Sequence, residues 1–289
     1  MSEADIVTYY ETCALDYRIN WRLDACKCLH YGYWDPTTRS FDQALVNTHR
    51  VMAMRAGIQG GERVLDAGCG VGGAALYLAR EHHCRVVGIT LVPSQVEQAI
   101  RNAQAAGLGA RVGFQQRSYL DTGYSPGSFD VVWAIESSCY APDKADFFRE
   151  ALRLLRPGGR LVVADFFRSG DPMSPSERRM MERWEESWAI PAYAEFQRFA
   201  EQAAEAGFED VVLSDDTWAV KPSARRLYQR FWPGLLVSAW ARPLGVRNKL
   251  QTDHVWSARW QWKLLEKGLW RYGFLSATAP GADTEATAD

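Results

Sequence analysis

The chain has 289 residues, 47% hydrophobic and 24% charged, with a formal net charge of -2. That is apolar material for one large domain or a domain with a substantial cap, and it excludes a disordered chain. The near-neutral charge excludes a general nucleic-acid-binding surface, so no nucleic-acid partner is expected.

Residues 1–28 carry an amphipathic, helical pattern, with Ile6, Tyr9, Tyr10, Leu15 and Ile19 as anchors. An aromatic loop, HYGYWDP, occupies 30–36, and Ser40 is placed to cap a helix over about 41–56. From Arg63 the pattern alternates strand and helix. RVLDAG, CRVVGIT, RVGFQQ, FDVVWAIE and RLVVADFF read as five strands. GAALYLAREH, SQVEQAIRNAQAAG and KADFFREALRLLRPGG read as helices between them, the second capped by Ser94 and the third ended by Pro-Gly-Gly. Short apolar runs alternating with helices predict a parallel sheet covered on both faces. After Ser169 the rhythm breaks: two helices over 174–206, a strand over 208–216, a basic aromatic helical stretch over 219–270 and a last strand over 271–279. The expected organisation is an N-terminal helical segment (1–56), a ligand-binding core (57–170), the end of the sheet with an inserted helical cap (171–279) and a disordered tail (280–289).

The run VLDAGCGVGG (64–73) places Gly68, Gly70 and Gly73 in a G-x-G-x-x-G pattern. Alone this is weak evidence for a dinucleotide. Two features oppose NAD. A ribose-binding acid is expected about 20 residues on, yet strand two ends VVGITL. Asp66 also puts a carboxylate beside the glycines, which would repel a pyrophosphate and suits an ammonium or a solvated network.

VLDAGCGVGG, VVGITLVPSQ, FDVVWAIESSCYAPDK and ALRLLRPGGRLVVADF, in that order, resemble class I S-adenosylmethionine-dependent methyltransferases. More narrowly they resemble the small-molecule subgroup of tocopherol and sterol C-methyltransferases and mycolic acid cyclopropane synthases. That subgroup ends strand two G-[ILV]-T-L-S-x-x-Q without an acid, and HYGYWDP looks like its H-x-G-Y-Y-D-P loop. The resemblance implies a doubly wound seven-stranded α/β sheet in the order 3-2-1-4-5-7-6 with the last strand antiparallel. It implies S-adenosyl-L-methionine as cofactor. Asp66, Gly68, Cys69 and Gly70 would surround its methionine part, and Thr90, Leu91 and Gln95 its ribose and adenine side. Ser118 and Tyr119 would lie against the adenine, although relatives carry an acid at the position of Ser118. Tyr31 and Gly32 would close over the cofactor, and Tyr10 would approach the sulfonium.

Glu136 ends strand four at the crevice, either as an acid near the reacting centre or as a cofactor-binding carboxylate. His30 is the other candidate for moving a proton. Cys26, Cys28 and His30 form C-x-C-x-H, which lacks a fourth ligand, and no metal is expected. The six cysteines have no disulfide-framework spacing. No run of about 18 apolar residues and no cationic leader is present, which reads as a cytoplasmic protein without a transmembrane segment.

Residues 218–252 hold seven Lys or Arg and no Asp or Glu. Three readings stand: a cap gripping an anionic group, contact with a membrane surface, and a solvated face or subunit interface. Trp184, Trp188, Trp218, Trp232, Arg225 and Arg226 are the candidate substrate contacts. The expected activity is C-methylation of an isoprenoid or prenylated small molecule, apolar and in one version diphosphate-bearing. O- or N-methylation of an aromatic natural product or amine is the alternative, and an NAD-binding oxidoreductase the remote one. Homo-oligomerisation stays open.

Overall fold

The structure, a computed structural model, describes residues 1–281. Helix α1 (Glu3–Asn20) begins at a capping box in which the Ser2 hydroxyl accepts from the Asp5 N–H while Asp5 accepts from the Ser2 N–H. The helical pattern expected through residue 28 breaks at Trp21, and only one turn, α2 (Leu23–Cys26), follows between left-handed Arg22 and Lys27. Ser40 caps α3 (Phe41–Arg55) by accepting from the Gln43 N–H.

The core then alternates: β1 (Arg63–Ala67), α4 (Gly73–Glu81), β2 (Arg85–Thr90), α5 (Pro93–Ala105), β3 (Val112–Gln116) and β4 (Phe129–Ile135). It continues with α6 (Lys144–Leu154) and β5 (Leu155–Arg168). Ser94 does not cap α5. The helix starts at Pro93, whose fixed φ suits the first turn, with Val92 as the cap residue. Nor does Pro-Gly-Gly precede β5, because Leu155 already pairs with Phe129 and the turn is absorbed as an irregularity within the strand. The last third of the chain supplies α7 (Pro175–Ser187), α8 (Phe196–Glu205), β6 (Glu209–Asp215), α9 (Thr217–Gln229), α10 (Phe231–Ala241), α11 (Lys249–Glu266) and β7 (Trp270–Thr278).

The seven strands run in the order β3-β2-β1-β4-β5-β7-β6. β3 through β5 pair in parallel, and β7 is antiparallel to both β5 and β6. An apolar core lies on each sheet face. One is built around Phe147, Phe148, Phe167 and Phe199. The other continues into the cap through Trp184, Trp270 and Tyr272. The first helix and the last cap helix interlock although remote in sequence. Tyr9 meets His254 Nδ1 at 2.9 Å, and Arg247 pairs with Asp16 at 2.6 Å with little exposure of either side chain. The tail expected over 280–289 lies, from residue 282 onward, outside the described residues.

Gly73 opens α4 beneath the N-terminal segment. A Cβ there would lie 2.3 Å from the Lys27 carbonyl oxygen and 3.0 Å from Cys28 Sγ. Gly73→Ala should lower stability by about 1–3 kcal/mol, the usual cost of overpacking. Gly109→Ala, which meets nothing within 4 Å, serves as the neutral control in the same thermal melts.

Candidate active site

Strand order reverses between β1 and β4, and a crevice opens at the C-terminal ends of β1, β2 and β4. The loop after β1 forms its floor. Gly68 has φ +96°, and a Cβ there would sit 2.3 Å from Ser137 Cβ. Only glycine lets the loops after β1 and β4 touch, and the Ser137 hydroxyl ties them by donating to the Ala67 carbonyl at 2.5 Å. Asp66 is buried behind this loop, its Oδ2 without a hydrogen-bond partner. Burial pushes its carboxyl up to about 7, against a smaller lowering by the Ala75 N–H.

Three adjoining cavities meet here. One is lined by Gly68, Gly70, Thr90, Leu91, Gln95, Tyr119 and Glu136. Asp66, Cys69 and His30 line a second, beneath the glycines. The third is small and aromatic: Tyr10, Tyr17, Trp21, Tyr140, Phe166 and Trp188, with Glu136 in its wall and no Lys, Arg or His.

Glu136 stands between the first cavity and the aromatic one. It is not glycine, yet has φ +47°, a conformation costing roughly 1–2 kcal/mol. Its Oε1 accepts from the Tyr31 N–H at 2.7 Å and the Tyr272 hydroxyl at 2.9 Å. No partner holds Oε2 among the described residues. Burial raises this carboxyl to about 8, the two hydrogen bonds opposing the rise and the buried Asp165 adding to it. Asp165 fixes the short turn after Glu136 by accepting from the Ser138 hydroxyl at 2.6 Å and the Cys139 N–H at 2.9 Å. Lys144 braces the same turn through the Cys139 and Ala141 carbonyls.

The remaining sequence candidates divide. Thr90 donates to Gln95 Oε1 at 2.8 Å at the cavity edge. Tyr119 lines the cavity and donates to the Ser137 carbonyl, while Ser118 turns back to accept from the Leu120 N–H, away from the lining. Tyr10 borders both the first and the aromatic cavity and donates to Tyr140, which donates to the Trp188 carbonyl. Tyr31 offers its N–H to Glu136, but its phenol is buried against Gln261. Gly32 faces α3, where a Cβ would meet Ala44 Cβ at 2.5 Å, so its smallness serves packing.

His30 is not free to move protons. Its Nδ1 is 2.8 Å from the Tyr31 carbonyl, so it must donate there, and its Nε2 is 2.9 Å from His49 Nε2. Burial holds the ring neutral, its pKa lowered to about 4.

Of the six expected substrate contacts, Trp188 alone lines the aromatic cavity. Trp184 is a core residue among Phe166, Tyr193 and Trp270. Trp218 and Trp232 are exposed, as is Arg225, and Arg226 lies over the Phe41 ring and donates to the Asn20 carbonyl. The helices α9 and α10 turn Ala219, Val220, Ser223, Ala224, Leu227, Phe231 and Ser238 inward, which leaves Trp218, Trp232 and Arg225 on their outer faces. Tyr17, Trp21, Tyr140 and Phe166 join the cavity unforeseen. SSCYAP directly after Glu136 was the available signal for Tyr140.

A methyltransferase domain model matches residues 65–163. The chain is 31% identical over 232 residues to a 2-methyl-6-phytyl-1,4-hydroquinone methyltransferase of Synechocystis sp., covering 78% of this chain and 72% of that one. It is 34% identical over 205 residues to a 27-O-demethylrifamycin SV methyltransferase of Amycolatopsis mediterranei, covering 70% and 74%. Two solved structures share the fold. The [4+2]-cyclase SpnF has TM-score 0.78 at 24% identity, covering 96% of both chains. A geranyl diphosphate methyltransferase has TM-score 0.76 at 21% identity, covering 96% of this chain and 99% of that one.

A carboxyl with a raised pKa favours the folded state while protonated, and that advantage is lost as pH rises through the folded-state value. Between the ordinary 4.5 and about 8, ionising Glu136 therefore costs stability. Glu136→Gln should melt close to the parent near pH 5 and increasingly above it as pH approaches 8. Parallel melting curves at all pH values would contradict the assigned burial.

Proposed function

Because this chain belongs to the S-adenosylmethionine-dependent methyltransferases, we propose that it methylates carbon on an isoprenoid or prenylated small molecule. S-adenosyl-L-methionine supplies an electrophilic methyl group. Asp66, Gly68, Cys69 and Gly70 would hold its methionine end, Thr90, Leu91, Gln95 and Tyr119 its nucleoside end. Two observations support that fit: the unpartnered buried Oδ2 of Asp66, and a floor that a Cβ at Gly68 would fill.

The reading rests on one observation. Glu136 is the sole carboxylate in the wall of a cavity otherwise lined by aromatic and aliphatic groups, Cys139 and Tyr hydroxyls. The substrate's reacting end is accordingly apolar. Aromatic faces stabilise positive charge developing at carbon, and Glu136 Oε2 is available to take the proton that restores neutrality. The cap keeps water from the reacting centre. The relative named for a phytyl-substituted hydroquinone supports the prenylated class. Arg225 and Arg226, away from the crevice, give a diphosphate no grip. A second reading, O-methylation, draws on the relative named as a 27-O-demethylrifamycin SV methyltransferase. It also draws on Glu136, since a carboxyl raised to about 8 is a stronger base toward a hydroxyl than an ordinary one. Glu136 and Tyr10 are the proposed catalytic groups; His30 is left a positioning part.

Transfer of labelled methyl to a panel of prenylated hydroquinones, prenyl diphosphates, sterols, phenols and amines tests the reading. Carbon-methylated prenyl products are expected; activity on phenols or amines alone would remove it. kcat/KM should rise with pH toward a plateau above about 8. Glu136→Gln should lose the pH dependence and about 10²–10⁴ in rate, while near-normal turnover would exclude its role.

A further inference from the structure

Helix α10, FWPGLLVSAWA, is apolar at every position except Ser238, and Ser238 is buried. Its outer face and the loop beyond carry Trp232, Leu236, Val237, Trp240, Leu244 and Val246, all exposed, Trp240 at 79% and Leu244 at 75%. Trp232, Leu236 and Trp240 recur every four residues and Val237 lies beside them, so they form one stripe along the helix, which Leu244 and Val246 extend into the loop. Soluble proteins rarely leave so contiguous an apolar surface bare. Arg230 and Arg242 bracket this helix in the chain and Lys221 and Arg225 lie on the preceding α9, all four exposed and without an ion pair among the described residues. No acid occurs between 217 and 252.

We propose that this face docks on an anionic lipid bilayer, with α10 lying in the plane of the headgroups. Tryptophans at the water–hydrocarbon boundary, leucines beneath them and cations level with the phosphates are the arrangement an interfacial helix requires. No helix of the described residues is long and apolar enough to cross a membrane, and surface docking needs none. A two-fold contact between copies through α10 is disfavoured, because it would bring both sets of unpaired cations together. The position is apt: α10 packs on α9 and α11, through Gly234 against Val255 and Phe231 against Trp256. Those two helices in turn hold the aromatic loop, Ser223 through Gly32 and Gln261 through Tyr31. Docking would thus place the cap that roofs the site against the bilayer, where a lipid-soluble acceptor is concentrated. The surface stands independently of which atom is methylated.

Co-sedimentation of the full chain with phosphatidylcholine vesicles, with and without phosphatidylglycerol, tests this. Binding to the anionic vesicles is expected, falling steeply at about 1 M salt, where the Debye length is ~3 Å. Arg225→Gln and Arg242→Gln should each weaken it about fivefold. Trp240→Glu with Leu244→Glu should abolish it while leaving the melting temperature and S-adenosylmethionine binding unchanged. Equal binding to neutral and anionic vesicles would overturn the proposal. So would a parent dimer that binds no vesicles and that the double variant splits, which would make the face an interface between copies.

Discussion

One carboxylate oxygen joins three distant parts of the chain. Oε1 of Glu136, at the end of β4, accepts from the Tyr31 N–H of the N-terminal loop and from the Tyr272 hydroxyl of β7. The loop is thereby seated over the crevice, and the antiparallel end of the sheet is tied to its parallel centre. The same tether leaves Oε2 without a partner among the described residues, on a side chain that lines both cavities. Glu136 also holds a strained left-handed backbone, which persists because Asp165 and Lys144 over-determine the turn that follows.

The site places charge where water is scarce. Asp66 and Glu136 both sit in surroundings that resist ionisation, and both carboxyls are raised by burial. Such carboxylates respond strongly to any positive charge brought near them, since Coulomb attraction grows as the dielectric falls. A sulfonium donor and a cation forming at carbon are species of that kind. The fold alone does not specify this chemistry: a [4+2]-cyclase shares it closely. What sets this chain among the methyltransferases is its sequence relatives.

The parallel sheet was legible because βαβ units announce themselves through short apolar runs and glycine-closed loops; its strand order came from the resemblance to the methyltransferase family. The glycine loop, GITLVPSQ and the acid after β4 were legible because each lies within one loop following one strand. The cap was not. Trp218, Trp232, Arg225 and Arg226 looked like substrate contacts because large aromatics and arginines suggest a pocket. The rotation of α9 and α10 is set instead by contacts remote in sequence, Ser223 with the loop at Gly32 and Gly234 and Phe231 with α11. His30 was misjudged for a related reason: its partner His49 lies nineteen residues away on α3, and no local pattern reveals a contact between elements. Ser118 turns into its own loop.

The central claim is that Glu136 is a tethered carboxyl poised near neutrality at the wall of an aromatic cavity. Carboxyl-carbon NMR of glutamate-labelled protein, free of cofactor and titrated from pH 4 to 10, measures it directly, the resonance being assigned by its loss in Glu136→Gln. A midpoint near 8 is the predicted result. A midpoint in the ordinary glutamate range, about 4.3, would contradict the account.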